Sequence, residues 1–158
     1  MTLRRAVAAD SAAARAVVKA VFDEYGFTWE EHGYHADLQD VETSYAAFFV
    51  VESDGRVVGT AGLTEAGSLE RLYVLPEARG SGAGSRLLRA VAAEARRRGH
   101  TQLESWSDKR FVDAHRLYER RGARVVCERA CPGTWASLSH GTGISIPCDR
   151  SHNRGRFG

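Results

Sequence analysis

At 158 residues, with 22 Lys plus Arg against 20 Asp plus Glu and 43% hydrophobic residues, the chain has the size and composition of one globular domain. A charged fraction of 27% argues against disordered, collagen-like and coiled-coil classes. The longest apolar run, Ala46 to Val51, is six residues, whereas a membrane helix needs about 20. The formal charge of +2 conceals an asymmetry: residues 1–70 hold 5 basic and 12 acidic side chains, residues 71–158 hold 17 and 8. Such a split suits one anionic partner and one cationic or polar partner, although composition alone favours a solvated surface with chance clustering. The first 25 residues mix charge with alanine and lack an apolar signal core, so a cytoplasmic location is expected, with Cys127, Cys131 and Cys148 as reduced thiols. A zinc set drawn from these and His140 lacks a knuckle turn, and no metal is expected.

In chain order, Thr2–Arg5 reads as a strand. Asp10 is placed to cap a helix running to Tyr25, with Ala13, Ala16, Val17, Ala20 and Val21 along one face. Residues 26–40 are irregular, aromatic and acidic, and a short second helix starts near Ala36. Ala46–Glu52 and Arg56–Leu63 flank Asp54-Gly55, a strong hairpin signal. Leu69–Leu75 is a further strand, stopped by Pro76. A helix follows over Gly82–Arg98, with Leu87, Leu88, Val91, Ala92 and Ala95 as its apolar face and Gly99 at its stop. A strand over Thr101–Trp106, a helix over Lys109–Arg121, and strands over Ala123–Arg129 and Ser137–Pro147 complete the order. The last ten residues, from Asp149, are polar and rich in Gly and Arg, as in a tail. The order β-α-α-β-β-β-α-β-α-β-β describes one mixed α/β domain over residues 1–148.

Most of the functional information lies in Arg79-Gly80-Ser81-Gly82-Ala83-Gly84-Ser85, between a strand and a long helix. Glycines allow tight turning and close backbone approach to a ligand, and a helix N-terminus offers unpaired N–H groups to a phosphate. A P-loop needs a Lys that is missing here. A dinucleotide fingerprint from Gly80 would need glycine where Ser85 stands, although Glu104 lies at a suitable distance for a ribose partner. A tight turn without ligand is the plain alternative.

The stretch Leu69-Glu70-Arg71-Leu72-Tyr73-Val74-Leu75-Pro76-Glu77-Ala78-Arg79-Gly80-Ser81-Gly82-Ala83-Gly84 resembles the acyl-coenzyme A signature of the GNAT superfamily of N-acetyltransferases, Q/R-x-x-G-x-G/A after a Val-x-Pro strand end. Asp113-Ala114-His115-Arg116-Leu117-Tyr118-Glu119-Arg120-Arg121-Gly122-Ala123 is similar to the family's A-x-x-L-Y-E-x-x-G-F block, with Ala123 where an aromatic is usual. The resemblance spans roughly residues 2–147 and implies a GNAT-like mixed sheet of six to seven strands, antiparallel in its N-terminal part, flanked by about four helices.

That resemblance implies acetyl-CoA as cosubstrate, its pyrophosphate on Arg79, Gly80, Ser81, Gly82, Ala83, Gly84 and Ser85, and its pantetheine arm along Leu72, Tyr73 and Val74. Tyr118 occupies the position of the family's general acid. The family's usual glutamate position, eleven before the loop arginine, is Ser68 here; Glu70 projects from the same strand face and is the candidate base. Phe111 replaces an asparagine common in the family, and His115 is read as structural. The acceptor pocket is expected from Tyr25, Trp29 and Tyr34, with Phe27, Glu30 and Glu31 alongside and Trp106 reaching the same cleft; aromatic packing of a long loop is the alternative. The expected reaction is acetyl transfer to the primary amine of a small molecule by direct attack in a ternary complex. Rival readings are a protein N-terminus or aminoacyl-tRNA acceptor, or an acyl-CoA sensor without turnover. With a net charge of +2, nucleic acid is not the expected partner, and no membrane partner is expected. A homodimer is conceivable through pairing of the last strand, if that strand lies at the sheet edge.

Overall fold

A computed structural model describes residues 1–108, 110–127 and 141–149. Among the described residues seven strands form one sheet: β1 (Thr2–Arg5), β2 (Ala47–Ser53), β3 (Arg56–Leu63), β4 (Ser68–Val74), β5 (Gln102–Asp108), β6 (Arg124–Cys127) and β7 (Gly141–Pro147). Their spatial order is β1-β2-β3-β4-β5-β7-β6. All neighbours are antiparallel except β4 and β5. Four helices among the described residues accompany the sheet: α1 (Ser11–Tyr25), α2 (Val41–Ser44), α3 (Ala83–Arg97) and α4 (Val112–Arg120). The expected order of elements and mixed α/β class hold. The expected tail beyond Asp149 and residues 128–140, with Cys131, Trp135 and His140, lie outside the described residues; Cys148 is buried and free.

Alternation along β2 divides the core. Ala47, Phe49 and Val51 face a cluster completed by Leu87, Leu88, Val91, Ala92 and Ala95 of α3. Phe48 and Val50 face Ala14, Val18 and Phe22 of α1, with Leu38 and Val41. Period-two and period-3.6 patterns thus meet across both faces of the sheet. Between β2 and β3, Asp54 (φ 50°) and Gly55 (φ 73°) both take left-handed conformations, as a two-residue hairpin turn requires.

Three local expectations are corrected. The carboxylate of Asp10 does not cap α1; it accepts the Val7 N–H at 2.8 Å and pairs with Arg4 at 2.7 Å, and a short 3₁₀ turn over Ala8–Asp10 leads into the helix. The buried face of α1 is Ser11, Ala14, Val17, Val18, Val21 and Phe22, rotated from the expected alanine-containing stripe because the bulkier side chains bury more area. The last strand, β7, is paired on both sides, by β5 and β6. Among the described strands the edges are β1 and β6, so β7 offers no open edge for a second copy.

Two features shape the centre. Strands β4 and β5 pair only at Ser68↔Glu104 and Leu69↔Ser105, and beyond those residues they part. On its other side β4 stays paired to β3 through Tyr73 and Val74, with a bulge opposite Ala61. Arg71 sits in that bulge with φ of 55°, a strained conformation for a side-chain-bearing residue. The Thr60 hydroxyl secures it by donating to the Arg71 carbonyl at 2.7 Å.

Candidate active site

The parting of β4 from β5 leaves two adjoining cavities that share Leu72, Tyr73, Phe111 and Ala114. The first, about 720 Å³, runs along the end of β4 and the start of α3, and is lined by Val74, Arg79, Gly80, Gly82, Ala83, Gly84 and Ser85 on one wall and α4 on the other. Gly82 precedes α3 with φ of 87°, a conformation natural to glycine. A Cβ built on Gly84 would stand 3.3 Å from Leu117 Cδ2, a tight contact that the bare position relieves where α3 faces α4. The first helical bond of α3 runs from Arg86 N–H to Gly82 O at 3.0 Å. The N–H groups of Ala83, Gly84 and Ser85 therefore stand at the open end of a 15-residue helix, facing the groove. Ser81 is exposed outside it, its hydroxyl donating to the Ala78 carbonyl.

This groove fits a diphosphate-bearing ligand with an extended arm: open amides and glycines at one end, and at the other a strand edge from which β5 has departed. A chain laid along that edge would meet backbone donors and acceptors as an added strand does.

The second cavity, about 390 Å³, lies on the α1 side of the sheet. Phe22, Gly26, Phe27, Thr28, Glu30 and Tyr34 form one wall; β4 supplies Leu69 to Tyr73, β5 supplies Ser105 to Asp108, and α4 supplies Tyr118. The bulge decides what β4 shows it. By simple alternation Glu70 and Arg71 would point to opposite faces, but the bulge brings both to this cavity.

Glu70 is largely buried, and burial raises its carboxyl above the ordinary value, with Asp37 adding to the rise and Arg71 opposing it. The Tyr45 hydroxyl lies 3.4 Å from Glu70 Oε2 and also hydrogen-bonds Asp37. The Arg71 guanidinium is nearly sealed, at 7% exposure. It donates to Asp37 through Nε at 3.0 Å and through an NH₂ group at 2.8 Å, and to the Tyr34 carbonyl at 2.6 Å. It also lies 4.6 Å from the centre of the Tyr34 ring. Arg71 thereby fastens the irregular 26–40 segment to the sheet. Sequence inspection missed this residue, since nothing in the local pattern marks an arginine for a bulge.

Tyr118 is 4% exposed. Burial pushes its phenol up to about 12, against a smaller opposing pull from the Ser105 side chain, so it holds its proton at neutral pH. Phe111, Ala114, His115 and Tyr118, at i, i+3, i+4 and i+7 of one helical stripe, divide here: Phe111, Ala114 and Tyr118 line this cavity and His115 does not; burial lowers the His115 pKa.

The expected acceptor residues divide. Tyr34 and Trp106 line the second cavity. Tyr25 instead lines the glycine-loop groove, its ring 4.8 Å from Phe111. Trp29 lines neither cavity: it stacks on His35 at 3.9 Å and packs on the α1 side of the core. His35 is fully buried; its Nδ1 accepts the Glu30 N–H at 3.1 Å, and burial lowers its pKa to about 4. Phe111, where an amide would be usual, joins Tyr25, Phe27 and Tyr73 in a ring cluster at the junction of the cavities.

The sequence matches the Acetyltransferase (GNAT) family over residues 14–123. It is 29% identical over 133 residues to the uncharacterized N-acetyltransferase YjgM of Escherichia coli, an alignment covering 76% of this chain and 80% of that protein. In fold it is similar to a GNAT-family acetyltransferase from Staphylococcus aureus, with TM-score 0.79, 16% identity and coverage of 94% and 99% of the two chains. It also resembles yncA of Salmonella typhimurium, a putative acetyltransferase solved with its cofactor acetyl-CoA, with TM-score 0.69, 21% identity and coverage of 99% and 98%. With its signature loop at the open end of α3, in a sheet split between β4 and β5, the chain belongs to the GNAT family of acetyl-CoA-dependent N-acetyltransferases.

Proposed function

We propose that the protein transfers an acetyl group to the primary amine of a small cationic molecule, by direct attack within a ternary complex. The observation that carries this reading is the placement of Glu70 and Tyr118 in one cavity that adjoins the glycine-loop groove. Acetyl-CoA supplies the acetyl group as a thioester, whose sulfur leaves.

The residues divide the remaining work. The loop from Gly80 to Ser85 and the β4 edge from Leu72 to Val74 hold and orient the donor, and an N–H of that edge receives the negative charge that grows on the carbonyl oxygen. Glu70 takes the proton released by the attacking nitrogen, directly or through a water; its raised pKa brings it nearer that task. Tyr118, protonated at neutral pH, gives its proton to the departing sulfur. One N–C bond forms and one C–S bond breaks. The products are an acetamide and a free thiol.

A cationic acceptor follows from the charges around the cavity. Arg71 is neutralised by Asp37, and Arg110 lies 2.8 Å from Asp108. Glu70, inside, and Glu30, at the exposed wall, line the same space as the rings of Tyr34, Tyr73, Phe27 and Trp106, without an ion-pair partner among the described residues. Such walls favour an amine attached to an apolar or aromatic body.

The test is thiol release from acetyl-CoA across a panel of aromatic amines, aliphatic diamines, α-amino acids and short peptides, with the acetylated product identified by mass. Amine-dependent release with the amines, abolished or cut about 10²-fold or more in Tyr118→Phe, is the expected result. Turnover confined to peptides would replace the small-molecule acceptor by a protein N-terminus. Donor binding without release for any acceptor would support the sensor reading.

A further inference from the structure

The second inference rests on acetyl-CoA occupying the groove, and concerns which part of that donor the side chains read. Three arginines line the groove: Arg79, Arg116 and Arg120. They are not equivalent.

Arg79 is already engaged. Its two terminal nitrogens lie 2.7 and 2.6 Å from the two carboxylate oxygens of Glu24, in the last turn of α1, and its Nε donates to the Val74 carbonyl at 3.1 Å. The pairing holds the Glu24 carboxyl below its ordinary value. Three of the five N–H groups of this guanidinium are committed and its charge is matched. Asp113, across the groove, adds to the negative field around it. Arg79 therefore serves as a clasp between the end of β4 and the end of α1, and leaves phosphate to the backbone amides.

Arg116 and Arg120 stand one turn apart on α4, on the wall opposite the glycine loop. Both are exposed, and neither has an ion-pair partner among the described residues. Like charges at this spacing repel on a helix surface, so the pair gains most from an anion placed between or before them. Guanidinium groups bind phosphate through paired, charge-assisted hydrogen bonds. The α3 amides match one phosphate-bearing group, the diphosphate. Coenzyme A carries one more, the phosphomonoester on the 3′ position of its ribose.

We propose that Arg116 and Arg120 form a second phosphate site that reads the ribose 3′-phosphate, while Arg79 acts as a structural clasp. The pair is then what makes the protein discriminate coenzyme A from the same molecule lacking that phosphate.

The test compares binding of coenzyme A and dephospho-coenzyme A by titration calorimetry, in the wild-type chain and in Arg116→Gln/Arg120→Gln. Both positions are exposed, and the melting midpoint of the unliganded variant checks that it folds. The wild type is expected to bind coenzyme A about 10- to 100-fold more tightly than dephospho-coenzyme A. The double variant should bind both equally, near the wild-type affinity for dephospho-coenzyme A. Equal affinities in the wild type, or an unchanged ratio in the double variant, would overturn the proposal. Binding of neither compound by the wild type would overturn the donor reading itself, and this site with it.

Discussion

Glu70 and His35 illustrate how burial sets the chemistry of single residues in this protein. Burial raises the Glu70 carboxyl above its ordinary value, so the deprotonated base is lost as pH falls, earlier than for an exposed glutamate. Glu70→Gln is expected to lower kcat by about 10²-fold or more and to remove that acid limb from the pH profile. A variant that keeps the wild-type limb would assign it to another group. His35 works in the opposite sense. Its folded pKa of about 4 lies below the ordinary 6.5 of an unfolded histidine, so the neutral form belongs to the fold. Its contribution is intact above pH 6.5 and declines as pH falls toward 4, by up to about 3 kcal/mol. His35→Asn keeps an acceptor for the Glu30 N–H and cannot titrate. Its melting midpoint should fall less steeply than that of the wild type across this interval. Sequence reading named Glu70 from strand period and Tyr118 from a family block, and Tyr34 and Trp106 as aromatic residues expected around the acceptor. It could not reveal that His35 takes Trp29 away from the cavity, because that pairing is made by a loop without periodicity.

At the scale of elements, the bulge in β4 is the part on which the acceptor cavity depends. It holds Arg71 at a positive φ, and the buried guanidinium in turn anchors Asp37 and the Tyr34 carbonyl. Replacing Arg71 with Met leaves the Asp37 carboxylate, itself 25% exposed, without its partner. A loss of about 2–4 kcal/mol follows for removing one half of such a pair, or roughly 5–15 °C in Tm for a chain of this size. Thermal unfolding of Arg71→Met checks this, and a change within about 1 °C would show that the anchor is dispensable. Most elements were legible because hydrophobic period and turn residues agree: the Arg56–Leu63 strand, the Asp54-Gly55 turn and the α3 face are found where the pattern puts them. The errors have physical causes. Alanines repeat along α1 at helical spacing but bury little area, so Val18 and Phe22 turn the helix. An arginine in a bulge looks like any strand arginine. The order of the last two strands depends on tertiary pairing, which local pattern does not encode.

For the molecule as a whole, the charge asymmetry maps onto the two cavities. The acidic first 70 residues provide Glu30 and Glu70 to the cavity proposed for the acceptor. The basic remainder provides Arg116 and Arg120 to the groove proposed for the donor, beside the Arg79–Glu24 clasp. The split between β4 and β5 makes the space, and the four shared residues, Leu72, Tyr73, Phe111 and Ala114, mark where the two ligands would meet. The whole account depends on the groove holding acetyl-CoA, and thermal unfolding with saturating acetyl-CoA, with NADH as the control dinucleotide, tests this most directly. At 100 times its Kd the donor should stabilise the fold by about 2.7 kcal/mol, raising Tm by roughly 5–10 °C, while NADH leaves it unchanged. No shift at saturating acetyl-CoA, or an equal shift with NADH, would contradict the account.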